Sequence, residues 1–362
     1  MRVLVWQWGR FGGAPRFGAA LARAIGALPD TAVLLSLASG AELLHSAGAP
    51  RCDLPVTTYC GPASFALRAA GAPFAVGGLA QRIRALRPDI AVCAQPGMLD
   101  LLMAAALRRL RIPFVVLVHD ADVHPGDGLP FQMRLQQALC RRAAAVSALT
   151  THVGDRLRAQ GLAGTPARPL LLLAHPPVAF DAAPPAPRPP DGTLRLLSFG
   201  RLLPYKGLDL LADALALRGP QPGLTVRVVG SGPSSATLDT LNALPGVTVE
   251  NRWVPEDEVG ALLGWSDALV LPYREASQSG VAAAAQAAGR RVLATRVGGL
   301  EEQLAGVPGA ILCEPDAKSL LAGLRHLLDL PRDAAFPLPA DTSEAWRGVA
   351  ASLMRQIEAL RL

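Results

Sequence analysis

The sequence has few aromatic residues, no long uninterrupted apolar run and no cysteine spacing typical of a metal site. Aromatic residues make up 5% of the 362 positions and hydrophobic residues 51%, so alanine and leucine must fill most of the interior. No stretch of about 18 consecutive apolar residues occurs, which predicts no membrane-spanning helix. The five cysteines show no close metal-binding spacing, and we expect free buried thiols, as in a reducing compartment.

The sequence also lacks a recognisable signal peptide and a nucleic-acid-binding pattern. Its start, MRVLVWQWGRFGG, is typical of a strand and a glycine turn, without a long apolar stretch and cleavage site. This indicates a cytoplasmic protein. The net charge is 35 − 29 = +6, but aromatic residues do not alternate with the basic ones, and we expect no nucleic-acid partner.

Basic residues cluster on predicted helices of the first half. The clusters are Gln81–Arg87, Arg108–Arg111 and Arg134–Arg142. Such helices either present ordinary solvated faces or dock on anionic lipid headgroups. The second alternative would place the protein peripherally at the inner face of a membrane.

A chain of this length favours two domains over one core. Apolar runs alternate with helical stretches through both halves, which predicts an α/β fold with a doubly wound parallel sheet in each. The stretch Ala63–Ala70 and the stretch Phe74–Leu86 are predicted as separate helices. Between the halves, the proline-rich stretch Ala182–Gly192 predicts a semi-rigid linker. The predicted divisions are 1–178, a linker 179–192, 193–335, and a C-terminal segment 336–362.

The most informative stretch of the second half is a strand, a turn and a helix. Ala268–Leu271 predicts a buried strand, and Val281–Ala288 predicts an alanine-rich helix capped by Ser279. The amides of Gly280 and Val281 would then lack intrahelical partners, as in helix starts that bind phosphate. The alternative is an ordinary strand–turn–helix with a serine cap.

A second loop, Phe199–Gly207, follows the apolar run Leu194–Phe199 and carries Arg201 and Lys206. Ligands of parallel sheets bind where strands end and helices begin. Arginine suits bidentate phosphate contact, and lysine supplies a point charge. The two loops together predict a clamp for a diphosphate.

Four pieces, in this order, resemble the donor-binding domain of glycosyltransferase family 4: GRLLPYKGLDLLADAL, VRVVGSGP, WVPEDEVGALLGWSDALVLPY and SQSGVAAAAQAAGRRVLATRVGGLEE. Nearly the whole chain can be read in register with that family. The resemblance implies the GT-B architecture, in which two Rossmann-like domains face a central cleft. Residues 1–178 would bind the acceptor, 193–335 the nucleotide-sugar, and the last helix would pack back on the first domain.

The resemblance implies transfer of a sugar from a nucleotide diphosphate-sugar to an acceptor hydroxyl, with retention and with neither metal nor cofactor. The acceptor would be a carbohydrate or a lipid-linked intermediate of surface polysaccharide or glycolipid synthesis. Two alternatives stay open. One is a GT-B nucleotide-sugar epimerase, and the other is a non-catalytic nucleotide-sugar-binding paralogue that regulates an active enzyme.

The resemblance also assigns roles to residues. The donor diphosphate would contact Arg201, Lys206, Gly12, Gly13, Ser279, Gly280 and Val281. The nucleotide and its sugar would contact Gly230, Glu275, Gln278 and Glu302, and Arg252–Pro255 would lie near the base. The family usually has two glutamates here, and their places fall on Ala276 and Ala284. The form Ser-Gln-Ser-Gly resembles a subgroup that lacks this pair.

Two stretches of the first half are candidates for chemistry. Gly9–Gly13 is either a ligand-binding loop or a simple turn, and it does not complete the dinucleotide fingerprint. Val118–Asp127 carries two histidines and three aspartates, which could hold a metal as His119 with Asp120 or Asp122, or as His124 with Asp127. The resemblance implies instead that His119 faces the transferred sugar. Asp120 would then orient His119 or act as a base toward the acceptor.

Overall fold

The computed structural model describes residues 1–46, 48–127, 130–180, 189, 191–331 and 339–361, and it divides into two compact units. The first unit consists of Met1–Val123, Gly128–Ala174 and Ser343–Leu362. The second consists of His124–Asp127 and His175–Thr342. Most of the predicted linker, residues 181–188 and 190, lies outside the described residues.

The first unit is built on a parallel six-stranded sheet. Its elements are β1 (Arg2–Gln7), α1 (Gly13–Gly26), β2 (Ala32–Leu37), α2 (Pro62–Leu86), β3 (Ile90–Cys93), α3 (Asp100–Leu110), β4 (Phe114–Val118), α4 (Pro130–Cys140), β5 (Ala145–Ala148), α5 (Thr151–Ala159) and β6 (Leu170–Leu172). The strand order is β2–β1–β3–β4–β5–β6. In register, Val5 of β1 pairs with Leu35 of β2 and with Val92 of β3. Every residue of β3, β4 and β5 is buried, because helices cover both faces of such a sheet.

Helix α2 corrects the prediction of two helices, because it continues through Pro73 as one helix of 25 residues. Proline removes one helix hydrogen bond, but its fixed φ is compatible with a helix. Alanines flank this position on both sides and favour helix. The cysteines are all free, but Cys60 beside the start of α2 is exposed, so the expectation of buried thiols is wrong for it.

The second unit repeats the plan. Its elements are β7 (Leu194–Phe199), α6 (Leu208–Arg218), β8 (Leu224–Gly230), α7 (Ala236–Ala243), β9 (Val247–Asn251), α8 (Glu256–Trp265), β10 (Ala268–Leu271), α9 (Gly280–Ala287), β11 (Arg291–Thr295), α10 (Gly298–Leu304), β12 (Ala310–Cys313) and α11 (Ala317–Asp329). The strand order is β12–β11–β10–β7–β8–β9, again all parallel. The prediction of two Rossmann-like sheets is confirmed.

The last helix, α12 (Thr342–Ala359), packs on the first unit from Ser343 onward. The ring of its buried Trp346 meets Phe17 of α1 edge-on, with 4.9 Å between ring centroids. Gln356 donates to the carbonyl of Leu172 at the end of β6, at 3.1 Å. The first unit is therefore assembled from chain segments that lie far apart in sequence.

The strand orders locate a binding edge in each unit. The order reverses between β1 and β3 in the first sheet and between β7 and β10 in the second. Ligands of such sheets bind at the carboxyl ends of the strands beside this reversal. In the second unit, these ends are the two loops that the sequence singles out.

Candidate functional site

Three strand-end loops of the second unit touch through their backbones, and glycines permit the contact. A Cβ atom on Gly230, the last residue of β8, would lie 1.6 Å from the carbonyl oxygen of Gly200, which follows β7. A Cβ atom on Gly207 would lie 1.8 Å from the carbonyl oxygen of Pro272, after β10. Both glycines also have positive φ. The close approach of the loops therefore requires glycine at both positions.

Backbone hydrogen bonds fix the β7 loop between its neighbours. The amide of Leu202 donates to Ser231 of the β8 loop at 2.9 Å. The amide of Arg274, in the β10 loop, donates to the carbonyl of Tyr205 at 2.8 Å. Arg201 and Lys206 thus lie on a loop that is held from both sides, which reduces the conformational freedom that ligand binding would otherwise have to restrict.

The side chains of Arg201 and Lys206 share one partner, the buried ring of Tyr205. Arg201 donates through Nη2 to the Tyr205 hydroxyl at 3.1 Å. The Lys206 ammonium lies 5.0 Å from the centroid of the Tyr205 ring and 3.9 Å from that of Tyr273. Rings attract cations over their faces. The structure therefore brings the two predicted clamp cations together.

The start of α9 adjoins this loop. The Ser279 hydroxyl accepts from the amide of Ala282 at 3.2 Å, so the predicted N-cap is confirmed. Gly280 is exposed and Val281 is half-buried. A Cβ atom on Gly200 would lie 3.5 Å from the Val281 side chain, which places the β7 loop against the helix start. Helix amides and two cations then border the same place.

Gln303 of α10 hydrogen-bonds to the backbone of the cap residue, a role that no sequence motif indicates. The Ser279 amide donates to Gln303 Oε1 at 2.8 Å, and Gln303 Nε2 donates back to the Ser279 carbonyl at 2.9 Å. Tyr273 adds a further contact, because its hydroxyl lies 3.4 Å from the Ser279 hydroxyl. Burial raises the pKa of Tyr273 to about 12, so its hydroxyl stays protonated at neutral pH.

The segment His124–Asp127 belongs to this unit, although β4 and α4 on either side of it belong to the first. The His124 ring stacks on Tyr205, with 4.6 Å between centroids and an angle of 17° between planes. Its Nδ1 lies 2.9 Å from a carboxylate oxygen of Glu275. Asp127 is paired with Arg201. His124 and Asp127 therefore have partners on the loops after β7 and β10 and do not form the metal pair considered from sequence.

The places of the usual glutamate pair are buried. Ala276 is 4% exposed and Ala284 is 1% exposed, and both pack in the apolar core of this unit. Glu275 is instead exposed and turned toward His124. Gln278 is half-buried, and its Oε1 has no hydrogen-bond partner among the residues that the structure describes. Glu302 is exposed on α10.

The loop after β9 presents an aromatic side chain. Arg252 is held by two acids, donating to Glu250 at 2.9 Å and to Glu258 at 2.8 Å. Trp253 beside it is 51% exposed. An exposed indole can stack on a nucleotide base, so Trp253 is a candidate that the sequence indicated only as part of a longer range.

In the first unit, His119 follows β4 and is buried. Its Nε2 donates to the carbonyl of Ala94 at 2.9 Å, and the Phe17 ring meets it edge-on at 4.7 Å. Burial lowers the pKa of His119, although the nearby carboxylate of Asp120 acts in the opposite direction. The imidazole is therefore neutral at pH 7, with Nδ1 as its acceptor atom. Asp120 is half-buried.

The remaining residues of Val118–Asp127 and Gly9–Gly13 differ in their surroundings. Asp122 is paired with Arg156 at 2.7 Å and accepts from Gln160 at 2.9 Å. Gly12 and Gly13 are exposed, and a Cβ atom on either would meet nothing within 4 Å. Within the described parts of the chain, no group of three or more His, Cys, Asp or Glu side chains is placed to hold a metal ion.

Two family models match successive parts of the chain. The model described as Glycosyltransferase Family 4 matches residues 11–169, and the model described as Glycosyl transferases group 1 matches residues 193–330. Each match falls within one sheet-bearing half of the chain. Neither comparison identifies the Ser-Gln-Ser-Gly subgroup.

Curated relatives are similar over parts of their length. A glycogen synthase of Mycobacterium tuberculosis (strain CDC 1551 / Oshkosh) is 34% identical over 154 residues, which cover 41% of this chain and 37% of that protein. The chain thus spans little more than a third of it. A 2-deoxystreptamine glucosyltransferase of Streptomyces kanamyceticus is 28% identical over 256 residues, covering 65% of this chain and 66% of that protein.

Solved structures resemble the chain over nearly all of its length. An Anabaena protein, HepE, solved in complex with UDP and glucose, superposes with a TM-score of 0.67 and 19% identity, covering 99% of this chain and 98% of that one. At this identity the likeness establishes the fold. With the two family models, it identifies the chain's two domains as those of the GT-B glycosyltransferase architecture.

Proposed function

We propose that this chain, which has the two domains of a GT-B glycosyltransferase, transfers a sugar from a nucleotide diphosphate-sugar to an acceptor hydroxyl. The observation that carries the proposal is that Arg201 and Lys206 meet at Tyr205, on a loop whose Gly200 lies against Val281 at the start of α9. A diphosphate is the ligand chemistry that two cations and a helix N-terminus suit best.

In this proposal, Arg201 and Lys206 stabilise the negative charge that grows on the diphosphate as the sugar leaves. Preorganised charges of this kind act on the transition state, and they supply what a metal ion supplies in other enzymes. The amides of Gly280 and Val281, beyond the Ser279 cap, add donors. We therefore propose transfer that needs no metal.

The nucleotide and sugar would be held by the surrounding loops. The UDP in the similar Anabaena structure makes UDP-sugars the first donors to test. Gly230 closes the β8 loop, Trp253 offers a stacking surface, and Glu302 would bind the ribose. The buried, unpartnered Oε1 of Gln278 can accept from a sugar hydroxyl.

The first unit would supply the remaining groups. We propose that neutral His119 contacts the departing sugar, that Asp120 orients it or accepts the proton of the acceptor hydroxyl, and that Gly12 and Gly13 let the backbone approach the donor. Retention of configuration and the Ser-Gln-Ser-Gly subgroup are proposed from the resemblance. Glu275, held by His124, would be the acid that takes the place of the first glutamate of the usual pair.

The acceptor is proposed to be a carbohydrate or lipid-linked intermediate of surface polysaccharide or glycolipid synthesis. The arginine-rich helices of the first unit support an acceptor at an anionic membrane surface. The protein would then be cytoplasmic and peripheral at the inner face of the membrane.

Thermal stabilisation by UDP-, GDP-, ADP- and dTDP-sugars, with Mg²⁺ or with a chelator, tests the donor site. We expect one nucleotide to raise the Tm, equally with and without Mg²⁺, and the rise to disappear in Arg201→Ala/Lys206→Ala. Arg325→Ala, which removes an exposed charge from α11, is the matched control and should respond as the wild type does. If no nucleotide raises the Tm of the wild type, the donor-site proposal is wrong.

Product analysis then separates the candidate activities. With the stabilising donor and a panel of glycan and glycolipid acceptors, a transferase releases the nucleoside diphosphate in proportion to acceptor. An epimerase converts the donor without any acceptor. Binding without turnover under both conditions would favour the regulatory paralogue.

A further inference from the structure

Helix α2 exposes apolar side chains along most of its length. Leu67 is 74% exposed and Phe74 is 89% exposed, the two highest values among the large hydrophobic residues. The buried residues of α2 all lie in its last third, at Leu79, Ala80 and Ile83. By length and composition alone, α2 is the one helix of the described chain that could cross a membrane.

The exposed apolar residues form one stripe. Leu67 and Phe74 are seven residues apart, and positions with this spacing lie on the same helix face. The small residues Ala63, Ala70 and Gly78 fall on that face as well, and all three are exposed. Ile83 lies on the opposite face, in the core of the first unit. The outward face of α2 is therefore apolar from its first turn to its last third.

The charges on α2 have one sign. Its 25 residues include no aspartate and no glutamate, but they include exposed Arg68, Arg82 and Arg84, and exposed Arg87 follows at the C-cap. In helical projection, Arg68 and Arg82 lie to one side of the Leu67–Phe74 stripe and Arg84 lies to the other. An apolar stripe between cationic flanks complements a surface that is apolar inside and anionic outside.

The burial of the last third of α2 favours a position on the surface of a bilayer over one that crosses it. A crossing would have to draw Leu79 and Ile83 out of the core and carry Arg68 into hydrocarbon, which is costly. A surface position requires neither change. Leu67 and Phe74 would enter the acyl boundary while the arginines remain among the headgroups.

We propose that α2 is a docking surface for an anionic lipid bilayer, with Leu67 and Phe74 inserted and Arg68 and Arg84 at the headgroups. This deepens the proposed function and rests on its peripheral membrane position, but it stands on exposure and charge and is independent of the donor site. It specifies which helix would make the membrane contact, and it uses the apolar part of α2 as well as its basic end.

Vesicle flotation tests the proposal on the full chain. The vesicles are phosphatidylcholine, with or without phosphatidylglycerol. We expect wild type to float only with the anionic vesicles, and Leu67→Ser/Phe74→Ser to bind them roughly tenfold more weakly. Arg68→Gln/Arg84→Gln should also bind more weakly, and salt should weaken wild-type binding. Leu217→Ser, an equally polar change at an exposed leucine of α6, is the control and should bind as wild type does.

Several results would overturn the proposal. One is a failure of wild type to float with anionic vesicles, and another is a loss of binding in Leu217→Ser as large as that in the α2 variants. Resistance of the bound protein to alkaline carbonate extraction would indicate a spanning helix. A dimer in solution that Leu67→Ser/Phe74→Ser dissociates would identify a second copy of the chain as the occupant. Because Leu67 and Phe74 are exposed, the Tm of the variants should stay at the wild-type value, and donor stabilisation should be unchanged.

Discussion

Both units have glycines where strands of their sheets end, but the surroundings of the two sets of glycines differ. Gly207 and Gly230 of the second unit lie so close to neighbouring carbonyls that a Cβ atom would overlap them. Gly12 and Gly13 of the first unit are exposed, with open space where a Cβ atom would be. Only Gly12 of this pair has a positive φ.

The difference separates two reasons for glycine that a sequence pattern cannot distinguish. In the second unit, glycine is required by packing between loops, whether or not a ligand binds. In the first unit, none of the described surroundings of Gly13 requires glycine. The strand-end loops of the second unit are thus packed against one another, and the first-unit loop is open.

The largest expected effect comes from disrupting the close contact between the loops of the second unit. Gly230→Ala should lower the free energy of unfolding by about 3 kcal/mol or more, because the added methyl overlaps the Gly200 carbonyl at a φ of 154°. Gly13→Ala should leave stability unchanged within about 0.5 kcal/mol. Urea unfolding of both variants measures this. Equal losses would show that the comparison between the two loops is mistaken.

A smaller effect is expected from replacing Asp127, the acid that pairs with Arg201. Asp127 pairs with this guanidinium, so under the proposed function a diphosphate would have to displace its carboxylate. Asp127→Asn should therefore bind UDP roughly three- to tenfold more tightly than wild type, as measured by calorimetry. Asp155→Asn, which removes an exposed acid of α5 paired with Arg158, is the charge-matched control. Weaker binding by Asp127→Asn would mean that Asp127 positions Arg201 and does not compete for it.

The smallest expected effect is on the pH dependence of stability, through His119 in the first unit. Its folded-state pKa is lowered by burial, so the unfolded chain binds the proton more readily. The stability that neutral His119 contributes is then present above its ordinary pKa near 6.5 and is lost as pH falls below it. Asp100, whose pKa burial raises to about 6, acts in the opposite sense.

Comparing His119→Gln with wild type cancels the contribution of Asp100. We expect the stability difference between pH 7 and pH 5 to be smaller in the variant, because glutamine does not titrate. Urea unfolding at both pH values measures it. Identical pH dependence in the two proteins would mean that His119 is protonated equally in the folded and unfolded states.

The sequence predicted what depends on local pattern. The two parallel sheets follow from alternating apolar runs, and the cap at Ser279 follows from its place before an alanine-rich helix. The gathering of Arg201 and Lys206 beside α9 followed from the rule that strand ends meet at one edge. Each of these predictions depends only on residues close together in the sequence or on the general order of the strands.

What the sequence could not predict depends on distant partners. His124 meets Glu275 across 151 positions, and Asp127 meets Arg201 across 74, so no local pattern indicates either contact. The continuity of α2 through Pro73 is a different failure, because proline is read as a helix breaker although its φ suits a helix. Gln303 has no motif, and only its geometry reveals its role.

The chain passes from one unit to the other more than once, and this limits how the protein can be cut. A fragment ending at residue 178 would lack α12, so Phe17 would lose the Trp346 ring. The same fragment would keep His124 and Asp127 but lose Tyr205 and Arg201. A fragment beginning at residue 193 would carry an uncovered α12. Neither half is a self-contained module, so a fusion or complementation experiment should keep the two halves on one polypeptide.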